Sequence, residues 1–230
     1  MVFTGAGIST ESSVPDFRSP CTSIWTQNQP IDFSEFLAPE KAHKESWRRK
    51  LQIDPLLSVA EPNADHQAIA HLVQTGQIKT IITQNIDGLH QKSGIPDAQM
   101  IELHGNTTYC VCLECGTRHE LQPIMQAFEA DESLPICRDC NGIVKTATIS
   151  FGQPMPVAEM ESAKEVTLQS DLFISIGSSL VVYPAVNFPL LAKQNGANLV
   201  ILNRVPTQLD AEADLVMHDE IGPTLNKLSF

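Results

Sequence analysis

Short apolar runs that break off abruptly into polar residues recur along this chain. Val2-Phe3-Thr4 runs into Gly5-Ala6-Gly7, Ile81-Ile82-Thr83 into Gln84-Asn85-Ile86-Asp87-Gly88, and Ile101-Glu102-Leu103 into His104-Gly105. Further on, Leu172-Phe173-Ile174-Ser175-Ile176 meets Gly177-Ser178-Ser179, and Leu199-Val200-Ile201-Leu202 meets Asn203-Arg204. Runs that are apolar on both faces suit strands buried in a parallel sheet. Helical segments fall between them, a rhythm that predicts helices on both faces of that sheet. In such sheets ligands bind just past the carboxyl ends of the strands. Gln84, Asn85 and Asp87 therefore stand where a ligand would be. His104, at another strand end, can serve as a base near neutral pH. Gly105 after it lets the backbone approach a ligand closely. Taken singly, each stretch is equally compatible with an ordinary structural histidine or amide cluster.

The chain has 230 residues, room for one full α/β domain and a small insertion. No apolar run is long enough to span a membrane, and Met1-Val2-Phe3-Thr4 shows neither the basic nor the long apolar region of a signal peptide. A cytoplasmic protein is expected. The formal net charge of −12 argues against a nucleic-acid surface, which must neutralise phosphates. Simple solubility accounts for that charge, and so does a lysine-bearing protein partner.

Two Cys-x-x-Cys pairs, Cys112/Cys115 and Cys137/Cys140, take four of the six cysteines; Cys21 and Cys110 are left over. Without export signals the spacing points to metal before disulfides. Four thiolates close a tetrahedral Zn²⁺ site and leave no open position, so one zinc ion is expected to be structural. A nucleic-acid zinc ribbon is the competing reading, but the segment is not notably basic.

The Gly5-Ala6-Gly7 turn exposes backbone N–H groups, and a helix start behind it would favour a diphosphate. As a dehydrogenase fingerprint it is incomplete, because Thr10 occupies the third glycine's place. A proline-bounded loop from Ser13 to Pro20 follows and suits a lid. Residues 40–51 have helical character, with Arg48-Arg49-Lys50 read as a solvated face. Asn63 or Asp65 caps the next helix, Ile69, Leu72 and Val73 form its buried stripe, and Gly76 ends it. His66 and His71 read as surface or packing residues. Pro123–Phe128 and 156–168 are expected helices. Another is expected to start in Leu180–Ala185 and a last one to span Ile221–Leu228, with 213–217 a final strand.

Gly5-Ala6-Gly7-Ile8-Ser9, Pro15-Asp16-Phe17-Arg18, Thr83 to His90, His104-Gly105, the cysteine pairs and Gly177-Ser178-Ser179 occur in the order found in sirtuins. The chain resembles a bacterial-type sirtuin, an NAD-dependent protein-lysine deacylase, over essentially its whole length. That resemblance implies a doubly wound, Rossmann-like parallel sheet with a small discontinuous lobe containing a zinc ribbon. The NAD-binding domain would comprise 1–24, 62–105 and 148–230; the lobe would comprise a helical module, 25–61, and the ribbon, 106–147. NAD is then expected against Gly5, Ala6, Gly7, Thr10, Asp16, Phe17 and Arg18. It is also expected against Gln84, Asn85, Asp87, Gly177, Ser178, Ser179, Asn203, Arg204 and Ile221, with Asn203 at the adenosine ribose. Acetylated lysine segments of proteins are expected against Ile86, Phe151, Gly152, Val182 and Tyr183, pairing with the 149–156 segment as an added strand. The resemblance further implies that the acyl oxygen attacks the ribose carbon, that nicotinamide leaves, and that His104, with Asn85 and Asp87 shaping the pocket, deprotonates the ribose for acyl transfer. Free lysine, nicotinamide and O-acyl-ADP-ribose result. A monomer that binds neither nucleic acid nor membrane is expected.

The chain departs from the family pattern in places. The usual Phe-Gly-Glu reads Phe151-Gly152-Gln153, which removes a charge near the peptide site. A helix commonly precedes the first strand in the family, whereas here Met1 directly precedes it, so that helix is truncated or absent. Sirtuins that prefer acidic acyl groups carry a Tyr-x-x-Arg pair; the nearest match is Trp47-Arg48-Arg49-Lys50, so a small uncharged acyl group is expected. Mono-ADP-ribosyl transfer and a non-enzymatic NAD-sensing or zinc-ribbon module are the alternative functions.

Overall fold

A computed structural model describes residues 1–16, 29–37 and 40–225. Phe17, Arg18 and Cys21 lie outside the described residues. The main sheet has strands β1 (Val2–Thr4), β2 (Ile81–Thr83), β3 (Met100–Glu102), β7 (Leu172–Ile176), β8 (Asn198–Leu202) and β9 (Leu215–Met217). Their spatial order is β3-β2-β1-β7-β8-β9, and every pairing is parallel. Val2 registers with Ile81 on one side and Ile174 on the other. The chain winds outward from β1 in one direction and from β7 in the other. A crevice must open where the direction reverses.

Alternate side chains feed two cores, as the strand period of two requires. Phe3, Ile82, Phe173 and Ile201 pack under the helices Val157–Leu168 and Asn187–Gln194. Val2, Ile81, Ile176 and Leu202 pack with Ile69 and Val73 of the helix Ala64–Gln74. Asn63 caps that helix, its Oδ1 accepting from the backbone N–H of Asp65 (3.0 Å) and His66 (3.2 Å). Leu180–Ala185 is not helical; Leu180 is left-handed at φ 53° and Tyr183–Pro184 is cis. The helix starts only at Asn187.

A second, antiparallel sheet runs β5-β4-β6, from β4 (Gly105–Cys112), β5 (Arg118–Glu120) and β6 (Val144–Thr148). The helix Leu121–Asp131 and the long helix Glu40–Val59 cover it, burying Trp47, Phe128 and Val144 together. The buried stripe of the long helix is His43, Trp47, Lys50, Asp54 and Leu57. Lys50 is thus a correction to the solvated-face reading. Its ammonium, 7% exposed, bonds Asp54 (2.7 Å) and the carbonyl of Thr107 (2.9 Å). Only Arg48 and Arg49 face outward, paired with Glu132 and Glu45. No helix among the described residues is long and apolar enough to cross a membrane.

Candidate active site

A cleft of about 570 Å³ opens past the carboxyl ends of the strands, a size suited to a cofactor-sized ligand. Gly5, Ala6, Gly7, Thr10 and Asp16 reach it from β1. Gln84, Asn85 and Ile86 come from β2, and His104 lies past β3. Gly177, Ser178 and Ser179 follow β7, Asn203 and Arg204 follow β8, and Ile221 closes that end. Phe151, Gly152, Val182 and Tyr183 form the rim, with Phe151 47% and Tyr183 65% exposed. Ser13–Pro20 is described only as far as Asp16, so the lid expectation for Phe17 and Arg18 lies outside the described residues.

The glycine turn works through closeness. The N–H groups of Gly5 and Gly7 donate to the carbonyls of Ile176 (3.0 Å) and Gly177 (2.8 Å), so they are not offered to a ligand. A Cβ on either glycine would meet the Gly177 carbonyl oxygen at 2.7 or 2.8 Å. The absence of side chains lets the β1 and β7 loops touch and leaves the floor of the cleft bare. The helix behind the turn is a single 3-10 segment, Ala6–Ser12. Gly105 also serves packing: at φ +71°, any Cβ would strike the Ala147 carbonyl. It lies outside the cleft lining, which corrects the expectation of a close ligand approach.

Hydrogen bonds fix the polar residues of the cleft. Gln84 Nε2 donates to Ser178 Oγ (2.9 Å), tying the β2 loop to the β7 loop. The His104 Nδ1 lies 3.0 Å from the Gln84 carbonyl. A carbonyl only accepts, so Nδ1 carries the proton and Nε2 is the basic nitrogen of the neutral ring. Asn85 Nδ2 donates to Ser9 Oγ (3.2 Å), and Ser9 Oγ donates to Asp87 Oδ2 (2.7 Å). Asp87 is buried behind Ser9 and does not line the cleft; its other oxygen accepts the Leu89 N–H (2.9 Å). Ser9 is a site residue that motif reading passed over, although it stands inside the Gly5–Ser9 motif.

Acid crowds the end near Arg204. Asp65 is 1% exposed, lines the cleft, and has no hydrogen-bond partner on either carboxylate oxygen among the described residues. Burial, with Glu11 and Glu220 nearby, pushes its pKa up to about 7. Arg204, the only Lys or Arg among the described lining residues, is ion-paired to Glu220 at 2.6 Å. Trp47 and Lys50 face the second sheet, not the cleft, so neither is placed to meet an acyl group there.

Away from the cleft, the Sγ atoms of Cys112, Cys115, Cys137 and Cys140 all lie within 4.8 Å of one another. Separations of 3.5 Å (Cys112–Cys140) and 3.6 Å (Cys115–Cys137) are too long for disulfides. They approach the edge, about 3.8 Å, of a tetrahedron with Zn–S bonds of about 2.3 Å. The four thiols therefore fit one Zn²⁺.

A doubly wound sheet, a cleft at its reversal point and a four-cysteine ribbon define a zinc-ribbon-bearing dinucleotide-cleft protein. The Sir2 family pattern matches residues 5–184, and the chain belongs to the Sir2 family. It is 53% identical over 223 residues to an NAD-dependent protein deacetylase of Rhodopseudomonas palustris, covering 97% of this chain and 88% of that protein. An NAD-dependent protein deacylase of Archaeoglobus fulgidus is 37% identical over 229 residues, covering 99% and 88%. Among solved structures, a Sir2 with p53 peptide and NAD+ superposes at a TM-score of 0.87, with 35% identity, over 99% of this chain and 90% of that one.

Proposed function

We propose that this chain is an NAD-dependent protein-lysine deacetylase in which His104 is the general base. The reading is carried by the His104 ring, locked by Gln84 with Nε2 basic, in the same cleft as Asn85 and the Gly5–Gly7 turn. Bound NAD supplies a nicotinamide leaving group and a ribose hydroxyl as acyl acceptor. His104 Nε2 takes the proton of that hydroxyl. Asn85 orients the ribose, Asp87 holds Asn85 in place through Ser9, and the bare turn accommodates the diphosphate. Asn203 lies at the adenosine end. The exposed Phe151–Gly152 and Val182–Tyr183 edges receive an extended acetyl-lysine segment through main-chain bonds. The acyl group is small and uncharged, because the only described Lys or Arg lining the cleft, Arg204, is already paired with Glu220.

Replacing the base should split the reaction. His104→Ala should lower product formation about 10²–10⁴-fold, the usual range for a positioned base. Binding of NAD should change far less, and exchange of labelled nicotinamide into NAD should persist. A folded, NAD-binding variant that still deacetylates at the parental rate would remove His104 from the mechanism.

A further inference from the structure

Asn85 is held from below by a line of buried hydroxyls that ends in a histidine. The Asn85 backbone N–H donates to Thr83 Oγ1 (3.0 Å), and Thr4 Oγ1 donates to the same oxygen (2.8 Å). Thr4 has thereby spent its only proton. The His90 Nε2, 2.9 Å from Thr4 Oγ1, must be the donor in that contact. The proton of the His90 ring therefore sits on Nε2, and Nδ1 should be bare. Nδ1 is indeed buried without a hydrogen-bond partner among the described residues. Thr4, Thr83 and His90 are each no more than 1% exposed, and none lines the cleft.

A second line holds the Asn85 side chain. Ser9 gives its proton to Asp87 and so can only accept from Asn85 Nδ2. The amide nitrogen of Asn85 is turned inward, and its Oδ1 is left to meet a ligand. The His66 ring flanks Ser9 and packs on His90, with ring centroids 5.0 Å apart. Burial keeps both rings neutral, which preserves the Nε2–H tautomer of His90.

The geometry points to His90 as a positioning residue for the reaction, acting through Thr4 and Thr83 on Asn85. This rests on the reading of Asn85 given under Proposed function. The line crosses from β1 to β2, so it locks two neighbouring strand ends at the hydrogen-bonding level. Losing the His90 donor leaves Thr4 free to rotate away from Thr83. The Asn85 N–H then shares an acceptor that is no longer fixed, and the amide moves within the cleft.

Three variants of His90 and two of Thr4 test this. Glutamine can place a donor where Nε2 lies, whereas asparagine is too short and leucine has none. Parent, His90→Gln, His90→Asn and His90→Leu are compared for kcat, KM for NAD, nicotinamide exchange and thermal melting. The expected result is a kcat loss of about tenfold or more in the Asn and Leu variants. Exchange should fall in parallel, KM for NAD should stay within about threefold, and Gln should restore kcat to within about threefold of the parent. Thr4→Val removes the relay hydroxyl while keeping the shape, and should reproduce the loss; Thr4→Ser should not. Leu or Asn variants with the parental kcat would overturn the proposal. So would Gln and Asn variants whose kcat falls only in step with their melting temperatures. If His90→Leu does not fold, Thr4→Val at the parental rate overturns it instead. A parent that fails to turn over acetyl-lysine peptide with NAD refutes the proposed function, a result distinct from any of these.

Discussion

The cysteine ribbon and the cleft are built in opposite ways. In the ribbon, four like side chains come from two tight turns, Cys112–Cys115 and Cys137–Cys140, and converge on one point. The ligands are local pairs, and only the joining of the pairs is long-range. In the cleft, each wall comes from a different strand end, from Gly5 after β1 to Asn203 after β8. No local spacing sets the distance from His104 to Asn85; the sheet register does. The ribbon is therefore expected to need a bound zinc for its fold. The cleft depends on the packed sheet for its fold and on a few hydrogen bonds for its chemistry.

That contrast is broken most forcefully at the ribbon. Cys112→Ser or Cys140→Ser should release the zinc, whose apparent binding energy in small zinc domains is about 10–16 kcal/mol and is folding energy there. The small sheet should unfold while the parallel sheet keeps its β-rich core, read by metal analysis and by proteolysis confined to residues 105–148. One zinc per chain is expected in the parent. A metal-free parent with a normal melt would contradict the structural role of the site.

At the cleft, the largest stability effect is expected at Asp65. Its carboxyl titrates near 3.8 when unfolded and near 7 in the fold. Between those values the folded state keeps a proton that the unfolded chain has released. Linkage then makes stability fall as pH rises through this window, with the loss complete above about pH 7. Asp65→Asn cannot ionise, so it should melt a few degrees (roughly 1–2 kcal/mol) above the parent at pH 8 and nearly with it at pH 4. An advantage that is equal at both pH values would mean that Asp65 is not the group responsible.

These regions were unequally legible in the sequence. The central strands β1 and β2 showed themselves because they are buried on both faces, and the cysteines because their spacing is local. Asp65 appeared only as a possible cap, since its neighbours Glu11 and Glu220 lie far away in the chain. His66 and His90 were unreadable as a pair for the same reason: Thr4 and Ser9 reach them only in the fold. Lys50 was legible and was misread. The spacing of His43, Trp47, Lys50, Asp54 and Leu57 is a buried helical stripe, and an i,i+4 Lys–Asp pair on it signals a buried ion pair rather than a solvated face.

The smallest effect is expected at Gln153. Its Oε1 accepts the Ser150 N–H (3.1 Å), a bond that a carboxylate also makes. Gln153→Glu should thus leave the loop intact and add one charge to the cleft wall. For peptides with Lys or Arg beside the acetyl-lysine, KM should fall about two- to fivefold at low salt and the gain should fade at high salt. An equal change for uncharged peptides would show a change of shape instead of charge.

The central claim is that the acetyl group passes from lysine to ADP-ribose in this cleft. It is tested most directly by mass spectrometry of single-turnover products from an isotopically labelled acetyl-lysine peptide and NAD. The account predicts one nicotinamide and one labelled O-acetyl-ADP-ribose for each lysine freed, with no ADP-ribose on protein. Labelled free acetate formed without NAD, or ADP-ribose retained on the peptide, would contradict it.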